Sequence, residues 1–449
     1  MTEKKYLKWY NKLGYGSGDA AACLTYALVT QFVMIYLTDS VGLASGIVGT
    51  LIMASKILDG ISDIIFGHLI DKTHTRMGRA RPWMFYAQFG VSICVVALFS
   101  IPNGISQVSQ YVWFFVSYTM MNAIFYTANN IAYAALTALI TKNPYERVEV
   151  GVVRFCFSLA TNIFVAYAGV RLSPLIGWGM VALIFTVFAI IINTISVFSV
   201  RELPDDELYD RNEQASDVSR PGIIESVILC FTNRYFISLL LSYLFYYILN
   251  GFNGISIYYF TYIMKNVDNY SIYSSIYYFP MLIGLLFTPY LIKKAGMYKS
   301  NLYGFAVAII ARVLFAIAGY MGNFPFMLVS LFLFGLGTAP LTGDQNALIA
   351  ESSEYTYRRK GKRVDGMMYS CASMGNKIGT GIGTAVYGIL LQCSGYVQNA
   401  AQQNAATMQT INFCFLIVPL ILTIALFIDL LFLNVEKANS DWDKTHSIQ

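Results

Sequence analysis

The chain has 449 residues, of which 56% are hydrophobic and only 12% charged, with a mean hydropathy of +0.55. Soluble domains carry about 25% charged residues, so there is too little charge here to cover a water-facing surface, and the bilayer must be the main solvent. The formal net charge of +5 is placed as membrane orientation requires, and implies no nucleic-acid partner.

A membrane span needs about 20 mostly apolar residues. Taken in chain order, apolar runs between polar breaks predict spans at 15–38, 46–70, 84–101, 109–140, 152–172, 178–199, 236–264, 272–292, 301–320, 325–350, 365–392 and 410–434. Backbone polar groups find no water in lipid, so each is expected to be a helix. Val181–Ser199 does not alternate as a barrel strand would. The expected fold class is an all-α membrane protein of twelve transmembrane helices. Polar Met1–Lys12 precedes a run of full spanning length, so no cleavable signal peptide is expected.

The basic residues sort by loop. Of 30 Lys and Arg, 24 fall on one side when alternate loops are assigned to it. They include Lys4 to Lys12 at the N-terminus, Lys72 to Arg81 between spans two and three, and Arg358 to Arg363 between spans ten and eleven. Only Arg171 and Lys265 fall opposite. This positive-inside pattern places both termini in the cytoplasm and requires an even number of spans.

The long polar interruption RELPDDELYDRNEQASDVSRP, Arg201–Pro221, divides the chain. The expected organisation is a six-helix bundle over 1–200, a cytoplasmic linker over 201–222, a second six-helix bundle over 223–435 and a cytoplasmic tail over 436–449. The run Ile223–Thr232 is expected to form an amphipathic helix on the membrane surface. Glycines at 335, 337, 375, 379, 381 and 383 permit close helix approach, for packing or for sliding. The seven cysteines are scattered singly and read as inert thiols. His68, His74 and His446 lie in or near loops and the tail, without an HExxH pattern, so neither an enzyme nor a cofactor is expected.

Eight ionisable residues fall within the spans: Asp19, Lys56, Asp59, Asp63, Arg154, Arg312, Asp344 and Lys377. Facing lipid they would together cost on the order of 20 kcal/mol, so they are expected to face a shared polar interior. Lys56, Asp59 and Asp63 are spaced i, i+3, i+7 along one helix face. Two acids against one base suit a coupling cation, Na⁺ or H⁺; a structural Lys–Asp bridge is the alternative. Asp19, in GYGSGDAA, suits the vicinal hydroxyls of a sugar, or else caps its helix. Arg154 and Lys377 offer donors from the two halves, to a ligand or to an ion pair between halves. Thr342, Asp344, Gln345 and Asn346 read as cavity lining or as a polar helix end. Arg312 is expected to be structural, near an interface or paired with an acid.

Four stretches, GYGSGDAA, DGISDIIFGHLIDKTHTRMGRARPW, NNIAYAALTALITKNPYERVEVGVVRF and ESSEYTYRRKGKRVDGMMYSCASMGNKIGTGIG, resemble the glycoside–pentoside–hexuronide:cation symporter family over residues 14–395. The resemblance implies the major facilitator fold, with a site between two six-helix bundles. It implies a secondary transporter that moves a sugar or glycoside with a cation by alternating access, in the cell membrane of a bacterium, as a monomer. Asp59 and Asp63 match the family's cation carboxylates and Thr127 a nearby hydroxyl ligand. Ser62 stands where the best-understood member has Asn, which leaves Na⁺ and H⁺ both open. Asp19, Tyr26, Arg154 and Lys377 match sugar-site or site-organising positions, and Asn130 stands where that member has a second sugar-binding Asp. Lys56 fills a basic position. The family's sugar-stacking Trp positions fall on Ala134 and Thr342, so the aromatic platform is expected from Tyr126 and Tyr133. Asp344 is an added acid and Gln345 a neighbouring polar group. The loop after span two resembles the major facilitator signature loop, implying a charge relay of Asp71 with Arg79 or Arg81, matched by Glu351 and Arg363 in the second half. A carrier of lysolipids or other amphipathic solutes on the same fold is the rival reading, and a non-transporting sensor a third.

Overall fold

A computed structural model describes residues 5–102, 104–141, 143–204, 223–362, 364–398, 400 and 402–446. Among these the chain is helical, and its one bridge is a turn between Thr75 and Gly78. The helices are α1 Trp9–Gly16, α2 Gly18–Ile35, α3 Ser45–Asp71, α4 Arg81–Leu98, α5 Gln107–Thr119, α6 Thr127–Ile140, α7 Pro144–Ile176 and α8 Trp178–Ser199. They continue as α9 Ile223–Thr232, α10 Arg234–Phe252, α11 Asp268–Tyr320, α12 Phe324–Lys360, α13 Asp365–Cys393, α14 Ala405–Asn412, α15 Val418–Leu430 and α16 Val435–His446. Four π-helical turns extend or join them, at Tyr36–Val41, Met120–Tyr126, Tyr259–Ile263 and Phe413–Ile417.

Joined through these turns, the elements make the twelve spans. The first is α1, α2 and the turn to Val41; the fourth is α5 with α6; the last is α14 with α15. The 53-residue α11 is two spans meeting at Gly296, whose φ of 80° lies in a region that a side chain disfavours. Seven helical stretches qualify as spans by length and apolarity alone. Others carry the polar groups of the interior, as α3 does with Lys56, Asp59 and Asp63. Apolar side chains such as Ile93, Leu175, Phe287, Ile310 and Phe432 point outward, as lipid requires. Helix ends overrun the expected boundaries, most of all in α12, which reaches Lys360 rather than 350. A polar turn can continue a helix once it has left the hydrocarbon.

The chain divides into two compact units. One is Met1–Gln214 with Asn266–Ser271 and Gly388–Asn404; the other is Ala215–Lys265 with Ile272–Tyr387 and Ala405–Gln449. Within the first, α2 packs on α7 and α8, and α4 on α8 and α6. Within the second, α10 packs on α15, and α12 on α16. The glycines noted in the sequence work here as contacts. A Cβ on Gly383 would collide with the Ile248 carbonyl, and one on Gly337 would lie 2.6 Å from the Gly304 carbonyl. The segment Ile223–Thr232 is helical, as α9, with Ile228 and Phe231 exposed and Ser226 and Cys230 buried. Most of the linker, residues 205–222, lies outside the described residues.

Three glutamates that the sequence did not single out tie loops to helices. The Glu146 carboxylate accepts from the Tyr6 and Leu7 amides, each at 3.0 Å, and from the Thr141 hydroxyl at 2.7 Å, with Lys12 nearby at 3.7 Å. Burial pushes its carboxyl up, but these hydrogen bonds and the Lys12 charge outweigh burial and hold it below the usual range. Glu202 accepts from the amides of Arg79, Ala80 and Arg81, and Glu436 from those of Met297 and Tyr298. Gly78, at φ 109°, leaves room for Glu202, whose carboxylate would collide with any Cβ there.

Candidate functional site

Two clusters of charge lie within the first unit. The first centres on Asp59, 4% exposed on α3. Its Oδ1 accepts from the Thr127 hydroxyl at 2.7 Å, and its Oδ2 lies 3.6 Å from Lys56 Nζ. Lys56 Nζ donates to the Tyr26 hydroxyl at 3.2 Å and to Asn122 Oδ1 at 3.1 Å. It also stands 5.1 Å from the Tyr26 ring centre, and that ring stacks on Tyr126 at 4.5 Å. The π-turn Met120–Tyr126 makes the cluster possible. It presents Asn122 and Tyr126 to the same interior as Thr127, whose hydroxyl also reaches the Asn122 carbonyl at 2.9 Å. Widened turns of this kind recur at functional sites. Ser62 donates its hydrogen to the Asp59 carbonyl at 2.8 Å, leaving its lone pairs. Asp63 sits one turn further along α3, half-buried.

The second cluster centres on Asp19, in the first turn of α2. It does not cap the helix. Its carboxylate receives a fork from Arg154, with Nε to Oδ2 at 2.8 Å and Nη2 to Oδ1 at 3.4 Å. Planar two-point pairing of this kind is the strong form of the contact. Arg154 Nη1 donates to the Thr137 hydroxyl at 3.2 Å, and the guanidinium covers the Tyr133 ring at 3.9 Å. Tyr133 is therefore not a free platform: it is 2% exposed and its hydroxyl donates to the Tyr15 carbonyl at 2.7 Å. The cause is local. Gly18 lets α2 approach until a Cβ there would touch Tyr133 at 2.9 Å, which brings Asp19 and the arginine over the ring. Tyr126 lies within electrostatic reach of both Asp19 and Asp59, linking the clusters. Asn130 is exposed on α6.

In the second unit, Lys377 and Gln345 are half-buried, and the Tyr246 hydroxyl lies 3.2 Å from that of Thr342. Asp344, expected to line the solute path, is sealed at 2% exposure and accepts from Asn301 Nδ2 at 2.8 Å. Arg312, expected near an interface or paired with an acid, forms no ion pair with an acid among the described residues. It is 3% exposed, its guanidinium lies 3.7 Å from the Phe334 ring centre, and its Nε finds no acceptor. Glu351 accepts from Asn439 at 2.6 Å. In the signature-like loop, Arg81 donates to the carbonyls of Val197 and Met77, and the acid found against the loop amides is Glu202. Asp71 ends α3, and Arg363 lies outside the described residues.

Asn122 is the residue of the Asp59 cluster that sequence reading missed. Its signal is faint: one amide in an apolar run, five positions before Thr127.

Twelve spans, with paired charges held within them, define a multi-pass carrier of small solutes. The chain belongs to the MFS/sugar transport protein family, which it matches over residues 14–437. It is 29% identical over 447 residues to an isoprimeverose transporter of Lactiplantibacillus pentosus, covering 97% of this chain and 91% of that one. It is 26% identical over 432 residues to a putative glycoside/cation symporter of Escherichia coli (strain K12), covering 93% and 90%. The fold is shared with the crystal structure of a nucleoside transporter, at TM-score 0.66 and 14% identity over 93% of this chain and 99% of that one.

Proposed function

We propose that the protein carries a sugar or glycoside across the cell membrane of a bacterium together with a monovalent cation, and that Asp59 is where the cation binds. The observation that carries this reading is the Asp59 cluster: a carboxylate 4% exposed at mid-span, with a hydroxyl 2.7 Å away and the Lys56 ammonium at 3.6 Å. The cation takes the place of Lys56 beside Asp59, with Thr127, Ser62 and Asp63 as further oxygen ligands. Hard oxygen donors suit Na⁺, and the same carboxylates suit H⁺. Lys56 remains bonded to Tyr26, so cation entry is felt at the Tyr26–Tyr126 stack and along α2 at Asp19.

Asp19 and Arg154 supply acceptor and donor to sugar hydroxyls, with Tyr126 as the apolar platform and Asn130 as a further polar contact. The fork between Asp19 and Arg154 holds both charges satisfied until hydroxyl groups replace it. The charged groups Asp71, Arg79, Arg81 and Glu351 change partners as the carrier alternates. Relatives named as transporters of isoprimeverose and of glycosides with cations support this cargo class. Both termini are cytoplasmic, on the positive-inside pattern, and the working unit is a monomer.

Uptake of a panel of labelled pentosides, glycosides and hexuronides into proteoliposomes tests the reading, with a sodium gradient, a proton gradient or neither imposed. Accumulation of at least one sugar driven by one of the two gradients is expected. Uptake that never exceeds equilibration under either gradient overturns symport.

A further inference from the structure

Asp344 is unlike the acids of the first unit. It lies on α12, in the second unit, at 2% exposure, and Asn301 of α11 faces it, also at 2%. One bond joins them, from Asn301 Nδ2 to Asp344 Oδ2 at 2.8 Å. The other oxygen of each group, Asp344 Oδ1 and Asn301 Oδ1, has no hydrogen-bond partner among the described residues. Ser300, next along α11, also holds a buried hydroxyl without a partner.

Among the described residues no lysine, arginine or histidine forms an ion pair with Asp344, and its stabilising contact is the single bond from the Asn301 amide. The charged group that acts on it is Glu436, of the same sign, whose carboxylate is held by the Met297 and Tyr298 amides. Tyr243 on α10 is the remaining titratable neighbour. An ionised carboxylate sealed in this way costs several kcal/mol unless compensated. The pair has spent its engaged donor, and what it leaves is two acceptor oxygens beside one negative charge. That arrangement attracts a cation, and a single carboxylate neutralises a single positive charge.

We propose that Asp344 and Asn301 form a second monovalent-cation site, in the second unit and independent of Asp59, filled by Na⁺ or by a proton on the Asp344 carboxyl. The site itself rests on the geometry of Asp344; its consequence for transport rests on the symport reading above. Two cations then move with each sugar, and the attainable accumulation ratio goes as the square of the cation gradient rather than its first power. The Asp344 cation is also what allows a buried acid to sit on a helix that must move during alternation, since no ion pair has to be broken.

The test uses the purified full-length protein without sugar, as wild type, Asp59→Asn, Asp344→Asn and the double variant, each checked for a retained melting transition. One arm counts bound ²²Na⁺ by equilibrium dialysis; the other follows the infrared carbonyl band of protonated carboxyl groups as pH is changed. If sodium fills the site, Asp344→Asn removes one of two sodium equivalents, Asp59→Asn removes the other, and the double variant binds none. If a proton fills it, the Asp344→Asn spectrum lacks a pH-dependent carboxyl band that Asp59→Asn retains. Should Asp344→Asn not fold, Asn301→Ala keeps the acid and lowers sodium affinity about tenfold, roughly 1.4 kcal/mol, or moves the pH midpoint of the band. The proposal is overturned if substitution at Asp344, or at Asn301 where that stands in, changes neither the sodium count or affinity nor the band. Failure of the Asp59 reading looks different: Asp59→Asn leaves both measurements as in wild type.

Discussion

Buried charge is handled in opposite ways in the two units. In the first, each acid of the interior clusters with a base close by: Asp19 is forked by Arg154, and Asp59 lies 3.6 Å from Lys56. In the second, Asp344 leans on an amide and a like-charged neighbour, and Arg312 lies against aromatic rings. A paired site is stable when empty and must be pried open by its ligand, so it suits a step in which binding energy is exchanged for broken contacts. A charge without an ion-pair partner has to be completed from outside, so it suits a cation that enters and leaves once per cycle. The first arrangement suits selectivity, the second the uptake of a counter-ion.

The largest test of this contrast is at the fork. Arg154→Ala strands Asp19, and removing one partner of a buried pair costs about 3–5 kcal/mol; uptake should fall at least a hundredfold. The double variant Asp19→Asn/Arg154→Gln should recover melting temperature but not transport. Recovery of neither shows that the two residues do not act as a pair. Next is Lys56→Gln. Removing a positive charge 3.6 Å from Asp59 should tighten cation binding about tenfold, roughly 1.4 kcal/mol, as read by calorimetric titration; weaker binding would show that Lys56 organises the site rather than competing for it. Thr127→Val deletes the hydroxyl that lies 2.7 Å from Asp59. Losing one such contact is worth about 1 kcal/mol, so cation affinity should drop about fivefold with little change in melting temperature.

The smallest effect concerns Glu146, outside the spans. Its carboxyl is held below the usual range, so its contribution to stability is complete above the unfolded-state value of about 4.3 and is lost as pH falls through the lower folded value. Melting temperatures followed from about pH 5 downward through the folded value should therefore drop more steeply for wild type than for Glu146→Gln, which starts lower and stays flatter. Parallel curves would remove Glu146 from the list of acid-sensitive contacts.

The fold was legible because its cause is written locally. Apolar run length and the side on which Lys and Arg fall follow from the bilayer alone, residue by residue. Asp59 and Asp63 were legible for the same reason, since a carboxylate at that depth needs an explanation before any partner is known. Partners were legible only where residues resemble a known family, as Thr127 does. Asn122, 66 positions from Lys56, has no local mark, and its place depends on a π-turn that no propensity in MMNAIFY announces. Tyr133 was expected as a platform because it is aromatic and near the site; only the close approach at Gly18 shows that the arginine covers it. Glu146, Glu202 and Glu436 look like ordinary loop acids until the amides they hold are seen.

The central claim is that Asp59 binds the cation that drives the sugar. Sugar affinity of the purified protein, measured by calorimetry across sodium concentration and pH, tests it most directly in wild type and Asp59→Asn. Linkage requires the cation to tighten sugar binding by the same factor by which sugar tightens the cation. The account predicts that dependence in wild type, and in Asp59→Asn a sugar affinity that no longer responds to the driving cation at that site. A variant that binds sugar with the full cation dependence of wild type would contradict it.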